Sequence, residues 1–165
     1  MKNLFLIIFT ILSMNMWGQK MFEEKLDNCS PKFTLEQKEI EIIYKTGDSI
    51  MILDIIKESD VDQIFKLKGV LAAQLIIDSI GKPCLISYDT KFNTLRKPFD
   101  VEENLNSMPS WEGTGDNTFK SVFIRLFFEK RQIIVQRMGY NRNTGWNLLS
   151  QEAFYKKEPE KKDKK

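Results

Sequence analysis

The chain's 165 residues include no histidine, which removes the commonest general base and the commonest metal ligand before any motif is considered. Ser-His-Asp and Cys-His nucleophile systems are therefore excluded. Ser79-Ile-Gly-Lys82 matches S-x-x-K and Lys45-Thr-Gly47 matches K-T-G, the fragments of a penicillin-recognising enzyme. They stand in the wrong order, the serine falls in a turn instead of opening a helix, and the middle motif is missing. Asp60 and Asp62 make a carboxylate pair, but a helix cap and its first turn explain them. Glu102 and Glu103 point to different sides of one helix. Gly113-Thr-Gly115 is glycine-rich like a phosphate loop, yet it leads into a strand. No Asp/Glu/Cys group has metal-ligand spacing. The expectation is no catalytic residue, no metal, no cofactor and no evident small-molecule substrate.

Two cysteines remain, Cys29 and Cys84, and their state depends on the compartment. Met1-Lys2-Asn3 carries one positive charge, and Leu4–Met14 is an almost unbroken apolar run of eleven residues. Eleven residues of helix rise only about 16 Å, short of a bilayer core of roughly 30 Å. The run therefore reads as a signal-peptide core, with cleavage near Gly18/Gln19 and export to the periplasm. An uncleaved anchor is the alternative reading. In an oxidising compartment Cys29 and Cys84 have only each other as intramolecular partners. The alternative is a buried thiol in a strand and a second in the N-terminal segment.

Lys and Arg number 25 against 23 Asp and Glu, a balance that gives no reason to expect nucleic acid. The Lys156–Lys165 tail, with six lysines and three acids, offers nothing but Pro159 to bury and reads as disordered. The elements that must position any site lie between. Val70–Asp78 and Pro83–Tyr88 flank a short segment with Gly81, the pattern of a β-hairpin. Lys120–Phe128 and Gln132–Met138 form a second pair. In Lys120–Phe128 the residues Val122, Ile124, Leu126 and Phe128 share one face, and Phe123, Arg125 and Phe127 share the other. Asp100 with Glu103 fits a capping box before Val101, Leu105 and Met108, and Pro109 stops that helix. A second short capped helix is expected from Ser59. Residues 34–57 are ambiguous, because Ser49–Ile56 is too continuously apolar for periodicity to decide. The expected class is α+β, a small antiparallel sheet of two hairpins with helices on one face.

Within this order Gly69-Val-Leu-Ala-Ala-Gln-Leu-Ile-Ile-Asp-Ser-Ile-Gly81-Lys82 resembles the "G-x-V-x-V-x-F-x-I-D-x-x-G-K" hairpin of the TonB C-terminal domain family. Leu105-Asn-Ser-Met-Pro-Ser-Trp111 is similar to that family's "M-P-x-W-x-P" stretch. The likeness covers about residues 59–138 and has the look of a secreted Bacteroidota version. It divides the chain into a signal peptide (1–18), an N-terminal extension of uncertain structure (19–58), a TonB C-terminal-like domain with a C-terminal extension (59–155) and the tail (156–165). The resemblance implies a non-enzymatic module that pairs by β-augmentation with an outer-membrane receptor or another envelope protein. A homodimer is a further pairing left open. Departures weaken energy transduction: the five prolines are scattered, so the family's Pro-rich spacer is missing. A structural or accessory envelope protein is the alternative.

On this basis the partner-binding candidates are Gln132, Ile134, Gln136 and Met138, on the strand expected to end the sheet, with Phe123, Arg125 and Phe127 beside them. Trp111 has two readings, a core residue over the sheet or an aromatic partner contact. The Tyr140–Tyr155 segment, with Trp146, Leu148, Leu149 and Phe154, could pack back and occupy part of the same surface.

Overall fold

The computed structural model describes residues 20–26, 29, 34–35, 44–94, 96–109, 111–112, 119–129, 131–141 and 143–155. The signal segment, the Lys-rich tail and the Gly113–Asn117 loop lie outside the described residues. Long alternating runs build the framework: β3 (Gly69–Ile77), β4 (Pro83–Phe92), β5 (Lys120–Glu129), β6 (Gln132–Asn141) and β7 (Gly145–Tyr155). Two-residue strands β1 (Glu24–Lys25) and β2 (Thr34–Leu35) join them. The sheet order is β1-β4-β3-β5-β6-β7, antiparallel throughout, with β2 lying parallel against the start of β5. The β3–β4 hairpin and the long β5 are as expected, whereas the second hairpin is extended by β7 into a three-strand meander.

Among the described residues, three short helices cover one sheet face. Helix α1 (Asp48–Ile55) resolves the ambiguous apolar run, burying Met51, Ile52 and Ile55. In α2 (Val61–Ile64) the Asp60 carboxylate accepts from the Asp62 and Gln63 amides, which accounts for the acidic pair. In α3 (Val101–Asn106) Asp100 accepts from the Glu103 amide at 3.0 Å, and Val101, Leu105 and Met108 are buried. These side chains meet Leu71, Leu75, Val122, Ile124, Leu126, Ile133 and Val135 in one apolar core.

The boundary expected between residues 58 and 59 cuts through this core. Tyr44, Met51, Ile52, Ile55 and Ile56 belong to the same cluster as the sheet residues. Helix α1 packs its buried side chains into the same core as α2 and α3. Trp111 is fully buried at 0% exposure, so the core reading of this residue holds. Its ring lies 4.9 Å from that of Tyr44, edge on, and its amide donates to the Gly81 carbonyl at 2.8 Å.

Candidate partner-binding face

The two faces of the sheet differ in what covers them. Residues opposite one another in an antiparallel ladder share a face, and alternate residues along a strand switch faces. With Val122, Ile124, Leu126 and Phe128 in the core, Phe123, Arg125 and Phe127 belong to the outer face. Their cross-strand partners on β6 are Met138, Gln136 and Ile134, and Glu129 stands opposite Gln132. All seven sequence candidates therefore come together on one face. Arg125 is exposed; Phe127, Gln132, Ile134, Gln136 and Met138 are half-buried.

The backbone argument that nominated them is overturned. Gln132–Met138 is not an edge, because β7 pairs with β6 along its whole length, from Gln132↔Tyr155 to Asn141↔Gly145. After the Asn143-Thr144 turn the chain folds straight back. The free N–H and C=O row expected on β6 is thus used inside the molecule. Among the described residues β7 pairs with β6 alone, and it is the strand that ends the sheet on this side. Helix α1 packs on the opposite face and does not cover Phe123 or Phe127. Trp146 from β7 covers Phe123 instead, with ring centroids 4.5 Å apart and planes at 84°. Phe123 is left 4% exposed.

β7 brings its own side chains to the face. Leu148 stands opposite Met138, Gln151 opposite Gln136 and Ala153 opposite Ile134, with the Gln136 amide donating to Gln151 at 2.7 Å. Trp146, Leu148 and Tyr155 are 41%, 52% and 63% exposed, an apolar display at the rim of the sheet. Tyr140 packs edge on against Trp146 at 5.3 Å and stiffens it. Sequence reasoning placed Trp146 and Leu148 in a segment that packs back on the sheet, but not in a strand.

A buried polar cluster fixes β7 from the core side. Arg137 of β6 and Asp48 at the start of α1 form an ion pair at 3.5 Å, with side chains 2% and 8% exposed. The Ser150 hydroxyl on β7 donates to the other Asp48 oxygen. The guanidinium lies 5.3 Å from the centre of the Trp111 ring, a cation–π arrangement. One carboxylate thus ties together α1, β6 and β7. Beside it, the Tyr44 hydroxyl donates to Asp54 at 2.5 Å. Burial, followed by the Asp54 hydrogen bond and charge, pushes the Tyr44 phenol far above its ordinary value.

Residues 20–22 cross the other half of the outer face. The Met21 amide donates to the Gln74 side chain at 3.1 Å and the Phe22 amide to Ser87 at 3.4 Å. Gln74 in turn donates to Ser121 at 3.0 Å, so three fully buried polar side chains are satisfied under this strap. A Cys29–Cys84 disulfide, Cα to Cα 6.0 Å, pins the strap's far end to β4. Among the described residues no His/Cys/Asp/Glu group could hold a metal, and no helix is long and apolar enough to cross a membrane. No family model, curated protein or solved structure matches this chain.

Proposed function

We propose that this chain is an exported, non-enzymatic protein of the cell envelope. In this reading it binds an extended segment of an outer-membrane receptor or another envelope partner by strand addition to β7. The observation that carries the proposal is the eleven-residue terminal strand with Trp146, Leu148 and Tyr155 exposed beside its edge. Main-chain groups on such an edge supply affinity, and the flanking side chains supply selectivity. Among the described residues no strand pairs with the outer edge of β7, and such an edge invites association: β7 contains no Lys and no Pro, and Glu152 is its sole charge. The TonB C-terminal-like resemblance supports the same mode, since β3, β4, α3 and β5 follow the order it implies. Periplasmic location rests on the Leu4–Met14 run and on a disulfide, which an oxidising compartment sustains.

One observation favours the accessory reading as the second choice. The strand that the resemblance nominates for the partner, β6, is occupied by the chain's own β7. A proline pair separates the two. Successive residues in a strand aim their N–H groups to opposite sides, so of Gln151→Pro and Glu152→Pro one breaks the β6 ladder and the other touches only the outer edge. The tagged full chain, crosslinked in its native envelope, is expected to lose its partner in the variant that keeps wild-type circular dichroism. Should that folded variant retain the same crosslinks, strand addition at β7 is wrong and the accessory role is preferred.

A further inference from the structure

Across the sheet from β7, the end of β4 and the loop into α3 line a half-open cavity of about 190 Å³. The strand's alternation aims Tyr88 and Phe92 at one side of it, and Phe99 and Val101 close the floor. This floor is rigid: Tyr88, Phe99 and Val101 are buried, and the Phe92 ring sits 6.0 Å from Phe99 and 5.2 Å from Phe128. The rim is cationic, formed by Lys91, Arg96 and Lys97, and none of the lining residues is acidic. Lys91 is already answered by Asp89 at 3.6 Å. Among the described residues Arg96 and Lys97 have no ion-pair partner. The Thr90 and Thr94 hydroxyls add donors at the same mouth.

We propose that this cavity binds a small organic monoanion, a carboxylate on a flat apolar body. Arg96 and Lys97 take the carboxylate, for which the guanidinium fork is shaped, while the body lies against Tyr88, Phe92 and Phe99. The volume is below the roughly 300–1,000 Å³ of cavities for drug-sized ligands and suits one ring with a short acid arm. An inorganic oxyanion would leave the aromatic floor unused. The site stands apart from β7 and does not depend on the strand-addition reading.

The test is titration of the full chain by calorimetry and by aromatic proton NMR, at low ionic strength because the rim is exposed to screening. Phenylacetate is the probe, with phenylacetamide and inorganic phosphate as controls. Saturable phenylacetate binding with a Kd of about 1 mM or tighter is expected, with shifts in the Tyr88, Phe92 and Phe99 resonances. Phenylacetamide should bind at least about tenfold more weakly, and so should phenylacetate to the Arg96→Gln/Lys97→Gln double variant, whose substitutions are on the exposed rim. Three results would overturn the proposal: no saturation up to about 20 mM, equal binding by the double variant, or phosphate competing as well as phenylacetate at matched ionic strength.

Discussion

Arg137 occupies a core-facing position on β6, between Val135 and the bulge, where strand alternation calls for an apolar side chain. A buried ion pair is no guarantee of stability, because desolvation offsets most of its attraction. What this one supplies is specificity of position. Asp48 can satisfy Arg137 and Ser150 together only if α1, β6 and β7 are correctly placed. No sequence periodicity reveals such a triad, since its members are separated by 89 and 102 residues. Tyr44 offers the cleaner test at this scale, being 1% exposed and bonded to Asp54. Its phenol holds its proton well above the ordinary value of about 10. In the unfolded chain the phenol ionises near that ordinary value. Above it the unfolded state binds fewer protons than the folded state, so stability falls as pH rises, and below it this contribution is complete. The expected slope is up to about 1.4 kcal/mol per pH unit above pH 10. Urea unfolding of wild type and Tyr44→Phe between pH 8 and 11 isolates this effect, because lysine titration is common to both proteins. Parallel losses in the two proteins would show that Tyr44 is not buried as described.

Elements differed in how legible they were, for reasons specific to each. β5 and α3 have one strong period, α3 with a cap at Asp100 and a stop at Pro109, and β3 is marked by an apolar run ahead of Gly81; their readings agree with the structure. Helix α1 was hidden because Ile50 and Leu53 remain exposed, so its apolar residues run all round and leave no amphipathic stripe. β7 was hidden by the bulge between Arg137 and Met138, which shifts the register opposite Leu148–Ser150. Leu148 and Ala153 consequently share the outer face although they differ in parity, and no strict alternation survives. The seven residues fall on one face because the alternation of β5 and β6 is regular; the edge was misassigned because β7 was not visible. Gly81 shows how a turn serves a remote element. Its φ is +89°, and a Cβ there would lie 2.0 Å from the Trp111 carbonyl oxygen. Gly47, at φ +86°, has no atom within 4 Å of its Cβ position. With ψ at 152°, Gly47 lies in a backbone region that is essentially restricted to glycine. Gly47→Ala should therefore cost the backbone strain alone, about 2–3 kcal/mol, whereas Gly81→Ala should cost about 4 kcal/mol or more by also displacing Trp111. Equal losses in chemical denaturation would mean that the Gly81–Trp111 contact does not hold the ring.

At the scale of the whole molecule, the outer face is divided between a strap and an open rim. β1 and residues 20–22 guard the β4 side, while β7 ends the other side with its apolar display. Besides the covalent bridge, the contacts of the strap among the described residues include a two-residue ladder, the Leu26 amide on the Ile86 carbonyl at 3.0 Å, two side-chain hydrogen bonds and the packing of Leu26 against the core. The Cys29–Cys84 bridge spans a sequence separation of 55 residues. On the chain-entropy model a loop of that size is worth about 4 kcal/mol, arising from restriction of the unfolded state. Neither cysteine belongs to the apolar core, which α1–α3 and the long strands complete without them. Reduction should thus weaken the protein globally by up to about 4 kcal/mol yet leave the sheet assembled. Local opening should be far more uneven. Amides at Met21, Phe22 and Leu26 are expected to exchange with solvent about as fast as in a free peptide after reduction, because the remaining strap bonds cannot offset its ordering entropy. Amides in β3 and β5 should keep their protection, apart from the uniform decrease in global stability. Hydrogen exchange with and without a dithiol reductant checks this. If protection at residues 21–26 falls no more than at Leu71–Leu75, the strap is held by its packing on the sheet and not by the bridge.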